Sequence, residues 1–266
     1  EWLPQPVLLS FRLQANSWGQ FDFVSQVAGI ESSPGHWFKD GSLLSGSSHY
    51  LGADSTHLTV KGLSAADTGD YQLVVSNAFG MTTSRVARVA LHFVNAVNPG
   101  ATAPYTNWAT AAGNIQDAID AAAADAVILV TNGIYNSGGK LTDVFDVTNR
   151  IALDKPVTVV SVNGPFQTAV EGQWDPVSTN GVNAVRCALL SSNSSLAGFT
   201  LRNGATRDNS RLGGGVAAYY DEMVASCIIS NNRAGGGGGA LLGSYYNCWF
   251  INNSALSFGG GVYLGS

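Results

Sequence analysis

Three acidic residues flank the segment of chain that follows Arg202, and they are the first candidates for chemistry: Asp208, Asp221 and Glu222. Two carboxyl groups at a suitable separation can act as the acid and the base in cleaving a glycosidic bond. The same oxygens could contribute to a calcium site, which takes six to eight oxygen ligands. The alternative interpretation is a solvated loop without a ligand.

Arginines lie in the same stretch, at positions 202, 207 and 211. They could form a rim that binds a saccharide. They could equally form surface ion pairs with the neighbouring acids, and such pairs contribute little to stability.

Aromatic residues recur at similar places in the C-terminal third of the chain. Neighbouring residues of a strand point to opposite faces, so alternate members of these clusters must point outwards. The pattern predicts an exposed aromatic surface on which sugars could stack, with packing at corners as the alternative. The predicted ligand-binding residues are Tyr219, Tyr220, Tyr245, Tyr246, Trp249 and Arg202.

Composition excludes several classes of protein. The chain has 266 residues, with 13 basic and 18 acidic side chains and a net charge of −5, which argues against a nucleic-acid-binding surface. No run approaches the roughly 20 apolar residues of a membrane-spanning helix. The glycine run Gly235–Gly239 is not followed by Lys-Ser/Thr, so it is not a phosphate-binding loop.

The three cysteines, Cys187, Cys227 and Cys248, fall on predicted buried strand positions. An odd number cannot pair fully within one chain. We therefore expect them to pack as small apolar side chains, and they do not decide the cellular compartment.

Residues 1–95 show short strands with alternating apolar positions and no helix, which predicts an antiparallel sandwich. Trp37, the string Asp67-x-Gly69-x-Tyr71 and the turn Ser76-Asn77-x-x-Gly80 resemble an immunoglobulin-like domain of the I-set type found in bacterial surface proteins. The resemblance implies a core tryptophan and a tyrosine corner. The positions of the usual disulfide hold Ser25 and Leu73, so such a domain would rely on core burial.

Residues 96–104 contain proline, glycine and asparagine, and they predict a short linker before a second domain over residues 105–266. Apolar residues at helical spacing then predict a helix over 114–124, capped by Asn114. Short strands separated by turns follow.

A repeat closes the sequence. Cys227–Ala234 aligns with Cys248–Ala255 at an offset of 21 residues, and glycine triplets recur near positions 213, 237 and 259. Periods of this length indicate a solenoid. Bends rich in Gly and Asn predict a right-handed parallel β-helix whose open end the helix covers. Cys227 would then stack on Cys248, and Asn231 on Asn252. The pattern is unfinished at the last residue, so further repeats are expected.

The string Ile115-Gln116-x-Ala118-Ile119, followed by Gly133-x-Tyr135, resembles the start of the pectin-lyase-like β-helix superfamily. The repeats are similar to those of polymorphic outer-membrane proteins and related adhesins. The resemblance implies an all-β protein, exported to the cell surface or secreted, that binds glycans or mediates adhesion without catalysis. It would act as a monomer, with a polysaccharide or cell-surface glycan as partner and no required cofactor, calcium being possible.

The resemblance also implies an alternative, a polysaccharide lyase or glycoside hydrolase acting on acidic polysaccharides. The aspartate strings of the family's hydrolases are absent, and the lyase branch needs a cluster of calcium-binding carboxylates. Asp143 and Asp146 are two units of the pattern away from Asp175. All four histidines fall within the first predicted domain. A third possibility is a passive stalk.

Overall fold

The computed structural model describes residues 5–29, 35–142, 146–208, 211–219 and 222–265. The predicted roles of Asp143, Tyr220 and Asp221 lie outside these residues. The fold is all-β with little helix, and it has two parts: an N-terminal antiparallel sandwich and a region of parallel sheets.

The sandwich consists of two antiparallel sheets. The strands are β1 (Val7–Gln14), β2 (Gln20–Ala28), β3 (Gly35–Lys39), β4 (Ser42–Leu43), β5 (Tyr50–Leu51), β6 (His57–Lys61), β7 (Gly69–Asn77), β8 (Gly80–Thr83) and β9 (Ala87–Val89). One sheet has the order β1-β2-β6-β5, and the other has β4-β3-β7-β8 with β9 also paired to β7. A single turn of 3-10 helix (Ala65–Asp67) precedes β7.

Aromatic side chains fill the sandwich core. Trp37 is fully buried, and the ring of Phe23 stacks on it with centroids 5.1 Å apart. The Tyr71 hydroxyl donates a hydrogen bond to the Asp67 carbonyl oxygen (3.0 Å), which confirms the predicted corner. Leu73 is buried beside Trp37, whereas the Ser25 hydroxyl donates to the Thr56 carbonyl oxygen. Apolar packing therefore replaces a crosslink.

The parallel region begins before the predicted boundary. Strand β10 (Leu91–Val94) follows β9 after one residue and pairs in parallel with β11 (Val127–Val130). His92 is therefore a buried residue of the parallel region, and the expectation that this region has no histidine is wrong. Residues 96–104 lie in a segment that folds back, since the Phe93 amide donates to the Tyr105 carbonyl oxygen (2.8 Å).

Three main sheets and one two-stranded sheet make up the described part of the parallel region. The first sheet contains β10, β11, β15 (Thr158–Ser161), β18 (Ser195–Ala197), β21 (Met223–Ala225) and β25 (Ser244–Tyr246). The second contains β12 (Gly133–Tyr135), β16 (Thr168–Glu171), β19 (Thr200–Arg202), β22 (Ile228–Ser230) and β26 (Trp249–Ile251). The third contains β13 (Lys140–Thr142), β14 (Val147–Leu153), β17 (Val185–Leu190), β20 (Val216–Ala217), β24 (Ala240–Leu241) and β28 (Val262–Tyr263), with β13 antiparallel to β14. A smaller parallel pair joins β23 (Arg233–Gly236) to β27 (Ser254–Phe258).

From β11 onwards the chain visits the first, second and third sheets in turn and then returns to the first. We call each such pass a circuit. Successive first-sheet strands begin at residues 127, 158, 195, 223 and 244, so the circuits are 31, 37, 28 and 21 residues long. The predicted period therefore describes the last complete circuit, while earlier circuits carry longer excursions.

Equivalent residues of successive circuits lie side by side. In the first sheet the inward row is Ile128, Val159, Leu196, Val224 and Tyr245, and in the second it is Tyr135, Val170, Leu201, Ile229 and Phe250. These rows share one apolar core. The pairs Ala225–Tyr246 and Ile228–Trp249 confirm the predicted alignment of the two Cys-led segments.

The predicted helix is present as α1 (Ile115–Ala121). The Asn114 side chain accepts a hydrogen bond from the Asp117 amide (2.9 Å), so the predicted cap is confirmed. Ile115 and Ile119 are buried in the core that the circuits enclose. The helix ends earlier than predicted because Ala122 has an extended backbone conformation.

Asn231 and Asn252 lie side by side as predicted, and a ladder of asparagine side-chain amides joins the circuits at the next position. Asn231 and Asn252 occupy bends in the left-handed region, with φ of 55° and 53°. The side-chain bonds are made by their neighbours: the Asn232 Nδ2 donates to Asn253 Oδ1 (3.0 Å) and to the Leu201 carbonyl oxygen (2.9 Å). The first asparagine of each pair thus shapes the bend, and the second joins the circuits.

The glycine triplets make tight bends, as predicted. Gly213, Gly237 and Gly259 have φ of 71°, 59° and 53°. At Gly238 an added Cβ would lie 2.1 Å from the Ser254 carbonyl oxygen, so the next circuit leaves no space for a side chain.

The sandwich packs on the outer face of the first sheet. The residues of that face decrease in size along one row: Phe93, Leu129, Val160, Ala197 and Ala225. All five are buried in one apolar cluster with the core of the sandwich. The Gly19 amide also donates to the Ser161 carbonyl oxygen (2.9 Å), and the Ala15 amide donates to Ser195 Oγ (3.2 Å). The two parts therefore share a core.

We expect Asn232→Ala to lower the free energy of unfolding by about 2–4 kcal/mol, because it leaves the buried Gly204 amide and Leu201 carbonyl without their side-chain partner. The matched control is Asn231→Gly, which suits a left-handed backbone and should change stability by less than about 0.5 kcal/mol. Urea unfolding followed by circular dichroism measures both. Equal losses in the two variants would contradict the ladder.

We expect Ala197→Leu to destabilise the whole chain by about 1–3 kcal/mol, because the added atoms have no space in the shared core. Ala169→Leu, on the outer row of the second sheet beside the half-exposed Ile134, should cost less. Calorimetry should show one unfolding transition that moves to lower temperature. Two transitions, with one unmoved, would show that the sandwich and the parallel region fold independently.

Candidate functional site

Three exposed aromatic side chains surround a cleft where the sandwich meets the second sheet. Trp18 comes from the sandwich, and Phe166 and Trp249 come from the parallel region. We call this the aromatic cleft. It encloses about 100 Å³ and is lined by Trp18, Pro165, Phe166, Ser226, Cys227, Ile228, Asn247 and Trp249.

Trp18 reaches the cleft because the turn between β1 and β2 is docked on the first sheet. Glycines make room for it: a Cβ at Gly198 would lie 2.5 Å from the Trp18 Cβ, and one at Gly164 would lie 3.0 Å from its ring. Gly198 also has φ of 83°, which a side chain rarely adopts. The tryptophan is therefore fixed against the parallel region and remains 42% exposed.

The other two rings approach each other at a steep angle. Phe166 follows Pro165 in the turn between β15 and β16, while Trp249 begins β26. Their centroids are 6.3 Å apart and their planes make 75°. Trp249 faces outwards because the next residue, Phe250, belongs to the inward row. The exposed fractions are 75% for Phe166 and 58% for Trp249.

The polar groups of the cleft are neutral. Asn247 occupies a left-handed bend with φ of 51°, and its Nδ2 donates to Ser226 Oγ (3.4 Å). Ser226 in turn donates to the Asn16 carbonyl oxygen, which joins the cleft to the sandwich. The eight described residues of its lining include no charged side chain. The cleft therefore offers apolar faces and neutral hydrogen-bonding groups.

The described members of the predicted aromatic surface lie beside three different sheets and do not form one surface. Tyr245 points inwards against Phe250, with ring centroids 5.4 Å apart, and burial raises the pKa of its hydroxyl. Tyr219 packs at the outer face of the third sheet. Tyr246 and Trp249 are exposed, and of these Trp249 lines the aromatic cleft.

The predicted arginines lie in ion pairs. Arg202 Nε is 3.3 Å from Glu171 Oε1 on the outer face of the second sheet. Arg211 Nε lies 3.6 Å from Asp208 Oδ2, and Arg207 pairs with Asp146. The surface ion-pair interpretation agrees with these contacts, and Arg202 is apart from the aromatic cleft.

The acids proposed for catalysis or calcium do not meet where the structure describes them. Asp208 contacts Arg211, while Glu222 is buried and accepts from the Asn193 amide at 3.4 Å. Within the described ranges no three His, Cys, Asp or Glu residues form a group that could hold a metal ion. The described residues also include no helix long and apolar enough to cross a membrane.

Asp175 closes the excursion between β16 and β17. Its carboxylate accepts from the amides of Val177, Ser178 and Asn183 at 3.0–3.1 Å and from the Ser178 hydroxyl. These hydrogen bonds favour the charged form and lower the pKa of Asp175 to about 2. Its oxygens are engaged by the loop itself, so the residue acts as a loop clamp.

Sequence reasoning missed Trp18 and Phe166. They are far apart in the chain and belong to turns, so no strand periodicity connects them to Trp249. A local signal exists, because each is a large aromatic residue next to glycine or proline in a polar turn, where burial is not expected.

Comparison with known proteins identifies the sandwich. The family model of the immunoglobulin I-set domain matches residues 12–88. Residues 12–88 form an I-set domain. No curated protein matches the chain.

Solved structures similar to part of this chain include the tandem Ig repeats of Dlar, with 17% identity over 30% of this chain and 44% of that one, at a TM-score of 0.26. The titin M4 domain has 21% identity over 30% and 88%, with a TM-score of 0.25. The titin M3 domain has 25% identity over 31% and 92%, with a TM-score of 0.24. The chain thus spans less than half of the Dlar structure.

We expect Asp175→Asn to reduce stability at neutral pH. The pKa of Asp175 in the fold is below the usual value of about 3.9, so its contribution is complete above about pH 4 and disappears as the pH falls towards 2. Urea unfolding at pH 7, 4 and 2.5 should show a difference from wild type that shrinks with acidity. Asp54→Asn, at an exposed position, is the control. A difference that stayed constant with pH would contradict the clamp.

Proposed function

We propose that this protein is an exported, non-catalytic glycan-binding or adhesion protein, and that the aromatic cleft is its binding site. The observation that carries the proposal is the convergence of Trp18, Phe166 and Trp249 on one cleft, all substantially exposed. Large aromatic side chains are normally buried, and an exposed group of them indicates a binding surface.

Sugars present both apolar C–H faces and hydroxyl groups, and the cleft matches both. The rings of Phe166 and Trp249 offer apolar faces, while Asn247 supplies an amide at the rim. Because the described lining is uncharged, we infer that the ligand is a neutral glycan and that acidic polysaccharides bind less well. A carboxylate entering the cleft would lose hydration without gaining a cationic partner.

We infer that the three parallel sheets wind into a right-handed parallel β-helix like that of pectin-lyase-like proteins, with repeats similar to those of polymorphic outer-membrane proteins. The cyclic order of the strands, the stacked inward rows and the covering helix support this inference. We further propose that the protein is located at the cell surface or in the medium. There the I-set domain would hold the solenoid in a fixed orientation.

The test is binding to an array of neutral and acidic polysaccharides, followed by titration of the best ligand. We expect Trp249→Ala and Phe166→Ala to weaken binding at least about tenfold, because each removes a ring that stacks on the sugar. Trp174→Ala removes a 44% exposed tryptophan outside the cleft and should leave affinity unchanged. Circular dichroism checks the fold of each variant.

Equal affinity in all three variants would reject the cleft as the site, and no binding to any polysaccharide would favour a passive stalk. The same samples should be assayed for reducing sugars and for the absorbance of unsaturated products on acidic polysaccharides. Product formation would replace the binding proposal with the lyase or hydrolase alternative. Loss of that activity in Asp221→Ala or Glu222→Ala would then locate it.

A further inference from the structure

Two cysteines occupy the same position in consecutive circuits. Cys227 lies between the pairs Ala225–Tyr246 and Ile228–Trp249, whose common register places Cys248 directly beside it. The Trp249 amide donates to the Cys227 carbonyl oxygen (2.9 Å), which holds the two backbones together at this position. Neighbouring parallel strands are about 4.8 Å apart, within the range of Cα separations of about 4.4–6.8 Å that a disulfide spans.

The two side chains also have the same orientation. Cys227 Sγ contacts the Ala225 carbonyl oxygen (3.2 Å), and Cys248 Sγ makes the equivalent contact with the Tyr246 carbonyl oxygen (3.4 Å). Both thiols therefore turn back towards the residue two positions earlier. Two side chains with the same orientation on adjacent, in-register positions bring their sulfur atoms next to each other.

The environments of the two thiols differ in a way that suits thiol–disulfide exchange. Cys227 is buried, while Cys248 is partly exposed. The hydrogen bond from Cys227 lowers the pKa of the Cys248 thiol, whereas burial and the same contact raise the pKa of Cys227. Cys187 is buried elsewhere, with its thiol donating to the Arg202 carbonyl oxygen, and burial raises its pKa to about 12.

We propose that Cys227 and Cys248 are the site of a disulfide that joins two consecutive circuits beneath the aromatic cleft. The third cysteine, Cys187, stays reduced, which accounts for the odd number. The crosslink forms in the folded protein, where the stacked circuits already place the two residues side by side.

The reaction needs a low-molecular-weight disulfide such as glutathione disulfide as the oxidant. The Cys248 thiolate attacks one sulfur of that disulfide, forms a mixed disulfide and releases one glutathione thiolate. Cys227 then loses its proton to solvent and attacks the Cys248 sulfur, which releases the second glutathione thiolate. The two protein thiols lose two electrons and two protons in total, and the oxidant becomes two glutathione thiols.

The crosslink would restrain the backbone at the aromatic cleft. Cys227 lines it, and Cys248 immediately precedes Trp249. A covalent bond at this position holds the strand that carries Trp249 to the strand before it. Formation of the bond does not depend on a glycan, so the chemical test below is independent of the proposed binding activity.

The experiment exposes the folded 266-residue chain to glutathione disulfide, quenches with acid, alkylates in denaturant and digests with trypsin. Arg233 lies between the two cysteines, so a crosslink joins the peptide Leu212–Arg233 to the peptide that starts at Ala234. We expect that linked pair, with Cys187 alkylated. The unfolding midpoint of the oxidised protein should rise by about 5 °C and return to its initial value with dithiothreitol.

Three variants complete the test. Cys187→Ser should keep the linked peptides, whereas Cys227→Ser should stop at a glutathione adduct on Cys248, and Cys248→Ser should give no crosslink. The proposal is overturned if the folded wild-type protein keeps three free thiols, accumulates only adducts, or forms the link only in urea. Because the decisive measurement uses the wild-type chain, a variant that fails to fold does not weaken it.

Discussion

The stacking of equivalent backbone positions from one circuit to the next is the constraint on which the parallel region depends. Each circuit supplies the hydrogen-bonding partners of its neighbour, so a side chain that suits one circuit must also suit those beside it. The amide of Asn232 shows this dependence, because it bonds both to the circuit before it and to the circuit after it. Glycine is required where the backbones of two circuits approach most closely, as at Gly238.

The stacking of equivalent positions also explains how the I-set domain packs on the parallel region. A flat face of stacked strands presents rows of equivalent residues, and the row from Phe93 to Ala225 becomes smaller in steps. The I-set domain packs along that row and meets large residues at one end and small residues at the other. Strand β9 of the domain also continues almost directly into β10. Little freedom remains between the two parts, and their cores merge.

Sequence patterns predicted the elements whose causes are local. The helix cap at Asn114, the tyrosine corner at Tyr71 and the bends at the glycine triplets each depend on neighbouring residues, and all three are present. The 21-residue offset also gave the correct alignment of Cys227 with Cys248, because the Cys, Asn-Asn and Ala positions shared by the two strings fix one register.

Structural features formed by residues far apart in the sequence could not be predicted from local sequence patterns. Leu91–Val94 has the composition of a sandwich strand, and its place in the parallel sheet depends on β11, more than thirty residues later. The choice between Asn231 and Asn232 as the bonding amide depends on which residue adopts the left-handed backbone. The aromatic cleft combines two turns and a strand end, and periodicity describes none of these.

Because the circuits contain different numbers of residues, the length of the particle is not proportional to the length of the chain. A circuit of 37 residues and one of 21 each advance the structure by a single strand spacing of about 4.8 Å. Residues inserted at a corner therefore widen the cross-section locally and leave the axial dimension unchanged, whereas a whole added circuit lengthens the particle by one fixed step. The number of circuits therefore sets the length of the particle along the stacking direction. Corner segments can vary in sequence and size without changing that length.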